Sequence, residues 1–552
     1  MRKEDREFRL PAISHLDFKQ ITMDRVLTTL FPRLLFGGSL ARERKRPDIT
    51  LERFVKEFIN PDLDQKGNKP DWFRGFDKYP HIVRAWINDN LMDVVNRGRQ
   101  TEAIAAPRPL HLDTYKFRNP KYCRDYGASQ QLYWMLYHSR QHGQAALDEL
   151  KRFFRVGVDP LTEQDRPTML DVETQALLRL STQIGPRVRD DDDRERSIPL
   201  CLGSCDRLAE DVLRLLAYQD VMPRSVLVEY LKSLFSLHLA LYHIRLAKLL
   251  PSMVATGGET TACGPITCPG QGMSGCRGTV GIVVDVANQT KTAMAELAEQ
   301  SAEHHYRRTH ALVKAYYQIR KLADFADHME RANRLPKPEH GQRSVSDILM
   351  VLAPHFGADR EAFFKQRLFG LLDHLRQGHD EEVSPLVGIL EGLNLEPFEK
   401  YIEVILALRG EWQRGYIVEC LDSLFLKNRD AAMLAQPRTK NAKRRFIFDS
   451  RMIEVLLQVL VVDARDGRFH TRSLHLDEVI TLLGQRYGIH IDRLPRGDGF
   501  GPPSISERAA LRGNLQSFKG KLREIGFLKD LSDAYTSLTI TPRYNISGEN
   551  HG

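Results

Sequence analysis

The chain is expected to be a mainly α-helical, multidomain protein with a winged-helix domain at its C-terminal end. Three observations predict this. Apolar residues recur at spacings of three and four along most of the 552 residues, whereas strand-like alternation is sparse. The segment 438–552 lays out as three helices followed by an alternating strand. That segment also holds nearly all the excess charge. From Arg438 to Tyr544 there are 19 Lys or Arg against 12 Asp or Glu, a surplus of +7, while the whole chain carries +8.

Length allows roughly three or four domains with large apolar cores. The pattern divides as 1–125, 126–345, 346–437 and 438–552. The first region mixes short helices (Leu51–Ile59, Pro80–Arg97) with a proline-bearing connection at Pro107–Pro109. The second begins with two helices, Ser129–Phe154 and Met169–Ile184, and the acidic–basic run Arg187–Arg196, a solvated loop. It continues with a helix over Asp206–Ala217. Two long helices, Pro223–Met253 and Thr290–Ala332, then flank a Gly- and Cys-rich insert and the strand candidate Val280–Val286. The third region is helical again, with apolar spacing at Phe363, Leu368, Leu371 and Leu372 and at Ile402, Ile405 and Leu406.

The last region opens on the basic link Arg438–Arg445. Arg451–Val462 and Asp477–Tyr487 form its first two helices, the second stopped by Gly488. After the Gly/Pro-rich loop Pro495–Pro503, a third helix begins near Ser506. Leu511, Leu515, Phe518, Leu522 and Ile525 give it a narrow apolar stripe. Arg512, Gln516, Lys519 and Arg523 share an adjacent face. Gly513 and Gly520 leave backbone bare, at about 1 kcal/mol each relative to alanine in an exposed helix. Tyr535–Tyr544 alternates as a strand ending near Arg543 and reads as the wing.

Charge concentrated in one module is the footprint of nucleic-acid contact. The third helix is therefore expected to enter a groove of duplex DNA, with Arg512, Gln516, Lys519, Arg523 and Arg543, and Lys443, Arg444 and Arg445 of the link, meeting phosphates or base edges. The module is expected to fold by itself. The competing reading is a winged helix that packs only on protein, its basic face merely solvated.

Five of the seven cysteines lie between positions 201 and 276: Cys201, Cys205, Cys263, Cys268 and Cys276. Thiolates suit zinc, which takes four tetrahedral ligands, and a Gly/Pro loop can wrap such an ion. Structural zinc, an iron–sulfur cluster and unligated buried thiols stay open as alternatives, since the spacings match no common zinc knuckle. Cys123 and Cys420 are isolated and expected in the core.

Reaction chemistry leaves no mark. No phosphate-cradling loop, dinucleotide fingerprint, nucleophile elbow or zinc-protease pair occurs. His304, His305 and His310, beside Glu303, are expected on the surface, and His111 with Asp113 is too slight a pair to mark a site. The chain is expected to be non-catalytic. The odd cysteine count and the charged start Met1–Arg9, which lacks a hydrophobic export segment, point to the cytoplasm. The longest uncharged run of the most apolar helix, Ser233 to Ile244, is 12 residues. A bilayer span needs about 20.

The segment Leu511–Ala534, the helix start at Cys201–Cys205 and the loop Thr267–Gly270 together resemble the non-catalytic component proteins of methylation-associated bacterial anti-phage defence systems. The resemblance implies a cytoplasmic partner of a methyltransferase, kinase or nuclease; together with the basic C-terminal module, the expectation is a DNA-binding sensor or scaffold of such a system. A transcriptional regulator is the alternative, although nearly 440 residues ahead of the DNA-reading module are more than an effector domain requires.

Overall fold

In the computed structural model the described residues are 1–40, 51–52, 55–56, 76–155, 170–182, 197–257, 268, 270, 276–338, 342–377, 388, 392, 394–439, 442–465, 468–528 and 538–546. The architecture is mainly helical. Two long helices form its axis. One is α5 (Arg224–Ala255); the other is α6 (Ala293–Arg331). From Leu227 to Met253 nearly every residue of α5 is buried, so its apolar residues surround the axis instead of forming a stripe. Helix α6 keeps polar residues on an outer side and buries Leu312, Tyr316, Ile319 and Leu322.

Around that axis pack α1 (Met23–Leu35), α2 (Ala128–Tyr137), α3 (Gly143–Phe154) and α4 (Leu202–Leu216) on one flank. The helices α7 (Gly357–Gln377) and α8 (Pro397–Leu424) lie on the other. One core of buried apolar side chains runs from Phe8 to Ile540 and takes members from all four regions.

Two helix expectations change. The helix expected over Ser129–Phe154 is broken into α2 and α3. Gly143 starts the second one where an added Cβ would lie 2.3 Å from the Leu136 carbonyl, so the chain turns there through the one residue that fits. The helix expected over Pro80–Arg97 stops at Trp86, continues as a π turn to Leu91, and becomes β1 (Met92–Val95). β1 pairs antiparallel with β2 (Ala103–Pro107), which ends where the connection Pro107–Pro109 was expected to begin. β-branched Val94, Val95 and Ile104 in this pair favour the extended form over the helical spacing. The expected helix Leu51–Ile59 and the run Arg187–Arg196 lie wholly or largely outside the described residues.

Ahead of α9, β4 (Leu434–Ala435) pairs antiparallel with β5 (Arg445–Phe446). The C-terminal region continues with α9 (Ser450–Leu460), the hairpin of β6 (Val462–Arg465) and β7 (Arg468–Thr471), then β8 (Leu474–His475) and α10 (Leu476–Tyr487). After it come β9 (Ile489–His490), α11 (Ile505–Glu524) and β10 (Thr539–Ile540). Gly488 ends α10 at φ 73°, a conformation open to glycine. Ser504 starts α11 through a reciprocal capping box with Glu507.

This region is built into the body. The strand candidate at 280–286 is realised as β3 (Ile282–Val283), which pairs parallel with β9. Farther down, the buried Asp211 carboxylate of α4 accepts from Arg486 and from the Tyr487 hydroxyl (2.9 Å) and lies 3.0 Å from His238 Nε2 of α5. Tyr218 donates to the Gln458 carbonyl at 2.8 Å, and Arg214 reaches the Val462 carbonyl. These bonds cross the boundary expected at Arg438.

Candidate nucleic-acid interface

Helix α11 is two-faced. Leu511, Asn514, Phe518 and Leu522 are buried, and Leu515 and Ile525 are half-buried, so the expected stripe is the packed side with Asn514 added to it. Leu511 joins Val283, Met294 and Leu297 in a small apolar cluster between β3 and α6. Phe518 lies parallel to Phe448 at a centroid distance of 6.2 Å. Asn514 ties three backbones together: it accepts from Val286 N (2.8 Å) and donates to the carbonyls of Val284 (2.8 Å) and Ile491 (2.9 Å). With one side fixed in this way, the other is presented without freedom to turn.

On that other side Arg512, Gln516 and Arg523 are exposed and Lys519 is half-buried. Gly513 and Gly520 have open space where a Cβ would stand. Neither is required by packing.

The strands beside α11 have a definite order. β8, which lies between α9 and α10, pairs antiparallel with β10, and Leu528, just after α11, bridges to Ile540 of β10. The described residues thus run α9, the β6–β7 hairpin, β8, α10, β9, α11, the bridging Leu528 and β10, with β10 between β8 and Leu528. The connection 529–537, where the start of the expected wing falls, lies outside the described residues.

The remaining basic candidates are engaged inside the molecule. Arg543 bonds Glu454 of α9 and the Ile525 carbonyl and lies over the Phe527 ring, bracing β10 against two helices. Arg444 grips Asp422 with two bonds of 2.8 and 2.9 Å and lies over Tyr306. Arg445 is buried, 3.3 Å from Asp285 and 2.7 Å from the Asn288 side-chain oxygen. Lys443 is exposed. Proximity in sequence grouped these residues; their ion pairs separate them from the α11 face.

The cysteines come together in part. Cys201 and Cys205 are buried at the start of α4, where Ser204 donates to the Cys201 sulfur at 3.2 Å and Cys205 donates to the Cys201 carbonyl at 3.5 Å. Arg140 binds Asp206, the neighbour of Cys205, and its other nitrogen reaches the Cys268 carbonyl at 2.9 Å. Burial pushes the Cys201 thiol up and the Cys205 thiol well up, and Cys268 adds to both shifts. Among the described residues no three His, Cys, Asp or Glu side chains are set to hold a metal ion. Cys263 lies outside the described residues. Cys123 and Cys420 are buried, as isolated core residues should be.

Among the histidines, His310 is exposed and 3.4 Å from Glu411. His305 departs from the surface expectation. It is buried between α6 and β3, its Nε2 2.8 Å from the Gly281 carbonyl, because that side of α6 faces the strand. His304 is half-buried beside Gly499. His111 is buried and accepts from Asp113 N at 3.1 Å, capping a 3-10 turn.

One residue escaped the sequence reading. Asp498, in the loop expected only as Gly/Pro-rich, accepts from Lys248 (2.9 Å), Arg308 (2.8 Å) and Gly281 N (2.8 Å). Burial raises its pKa, but the bonds from Lys248 and Arg308 outweigh burial and hold it at about 2. The signal available was Gly497–Asp498–Gly499, a carboxylate flanked by two glycines.

No helix among the described residues is long and apolar enough to cross a membrane. Over residues 3–544 the chain matches the family of methylation-associated defense system protein MAD7, and it belongs to that family. No curated protein matches it. The defence component that the resemblance implied is thereby established at the level of the family.

Proposed function

We propose that this member of the methylation-associated defence family is a DNA-binding sensor or scaffold subunit, and that it contacts duplex DNA through α11 of a C-terminal winged helix. The observation that carries the reading is the outer side of α11. Three cations and a glutamine stand there beside two glycines that packing does not require, on a helix whose opposite side is locked to the body. The pairing of β10 with β8 on one side and with Leu528, just after α11, on the other supports the winged-helix assignment. Arg512, Lys519 and Arg523 meet phosphates or guanine edges, and Gln516 is placed for a base edge. Lys443 adds one charge. Arg444, Arg445 and Arg543 hold the module in place.

The test is reversal of Arg512, Lys519 and Arg523 to Glu in the full chain. Duplex binding at low salt is expected to vanish while the helical circular dichroism stays intact. Wild-type binding by this variant would remove the assignment, and binding that is absent or insensitive to salt in the parent protein would favour a scaffold that touches only protein.

The role needs no chemistry of its own. The subunit works in the cytoplasm beside a methyltransferase, kinase or nuclease of the same system, and the purified protein alone is expected not to cleave DNA. Metal-dependent nicking that disappears on changing one acidic residue would contradict this.

A structural zinc ion held by four of Cys201, Cys205, Cys263, Cys268 and Cys276 is proposed as well. One observation favours it. Arg245 is fully buried and donates to the Ser204 hydroxyl (3.0 Å), beside Cys201. A buried guanidinium calls for a negative neighbour, which a zinc thiolate group supplies.

A further inference from the structure

Where the C-terminal region meets α5 there is a cleft of about 410 Å³, within the range of small-molecule sites. Its apolar lining is Val280, Ile480, Ile489 and Pro495. Lys248, Arg493 and Arg496 also line it, against Asp492 and Asp498.

These charges are not equivalent. Asp498 is saturated by Lys248, Arg308 and the Gly281 amide. Lys248 uses two of its three N–H groups, on Asp498 and on the Thr279 carbonyl (2.6 Å). Exposed Arg493 pairs with its half-buried neighbour Asp492 at 2.8 and 3.1 Å. Arg496 is exposed and has no ion-pair partner among the described residues. With Arg308 behind Asp498, four cations face two carboxylates, so the local charge is positive.

The wall that carries Arg496 is held in an unusual shape. Gly497, Asp498 and Gly499 have φ of 84°, 51° and 86°, three successive residues in the left-handed region. A Cβ on Gly499 would lie 2.6 Å from His304, and one on Gly281 would lie 2.3 Å from Pro495. A non-glycine residue in that region costs of order 1–3 kcal/mol and persists where the surroundings fix it. Here the Asp498 bonds fix it, and the result is a rigid rim that sets Arg496 beside Pro495. Burial and then Arg493 lower the pKa of His490, which also lines the cleft.

We infer that this cleft binds a phosphorylated small molecule of mononucleotide size, its phosphate against Arg496, Arg493 and Lys248 and its ring on Ile480, Ile489 and Pro495. Guanidinium groups recognise phosphate by paired hydrogen bonds, and the apolar floor has room for a ring. The cleft is separate from the α11 side chains proposed to meet DNA.

Calorimetric titration of the full chain with adenosine 5′-monophosphate, adenosine and inorganic pyrophosphate tests the assignment. The monophosphate should bind one per chain, with adenosine and pyrophosphate each at least tenfold weaker. Arg493→Glu together with Arg496→Glu should weaken it at least tenfold; both side chains are exposed, and an unchanged melting temperature without ligand checks the fold. Binding should persist in the α11 triple reversal, which separates this site from DNA contact. No binding of any probe at millimolar concentration, or monophosphate binding unaffected by the double reversal, would overturn the site. Pyrophosphate binding as tight as the monophosphate would overturn the place given to the ring.

Discussion

Asp498 shows how one side chain in this protein joins three segments distant in sequence. Its folded pKa of about 2 lies below the ordinary value of 3.8, so its bonds stabilise the fold fully above about pH 4. That contribution is lost as pH falls from about 4 through 2. Asp498→Asn should therefore lower the urea midpoint at pH 7 and reduce the difference from the parent as pH drops through this window; an equal difference at pH 7 and pH 2.5 would contradict the ion-pair role. Asp211 is more deeply buried, and the Arg486 guanidinium with the His238 hydrogen bond holds its carboxyl far below the usual range in spite of burial. Breaking a buried pair by removing one partner costs about 3–5 kcal/mol. Asp211→Ala is expected at that level in denaturant unfolding, and a change below about 1 kcal/mol would show that Arg486 finds another partner. Neither carboxylate was legible as a hub from sequence. Apart from His238, their partners stand between 190 and 276 residues away, and local spacing carries no trace of a pairing made by the fold.

At the scale of elements, the sequence was most informative where one helix has one packed side. The α11 stripe could be read from its spacing because Leu511, Phe518 and Leu522 all face the body. Asn514 could not, since it sits in the stripe as a polar residue and its worth lies in three backbone groups of other segments. The long helix α5 was legible in length because apolar residues recur at every turn along it. The stretch 92–95 was misread because helical spacing and β-branched content compete there, and pairing with β2 decides the outcome. Gly513 and Gly520 provide a test at this scale. Converting both to alanine should stabilise the protein by about 1 kcal/mol per site, since nothing occupies the added space. If DNA backbone approaches there, the same change should weaken duplex binding several-fold. Greater stability with unchanged affinity would leave the glycines without a part in binding.

For the whole molecule, the sequence suggested four regions, and the structure joins them through one core and through β3–β9, Asp211–Arg486 and Tyr218–Gln458. Truncation after residue 437 should consequently expose Val283, Met294 and Leu297 and give an aggregating product; a monomeric, helical 1–437 fragment would contradict that coupling. The proposed zinc acts at the same scale by tying the start of α4 to the loop after α5. Elemental analysis should find about one zinc per chain, and Cys201→Ser should lose both metal and thermal stability; a stable protein free of zinc would leave these as buried thiols. The measurement closest to the central proposal is the salt dependence of duplex binding by the full chain. Each phosphate contact contributes about −0.9 to the slope of log affinity against log salt. Changing Arg512, Lys519 and Arg523 to Ala should make that slope shallower by close to three contacts, and an unchanged slope would contradict the α11 interface.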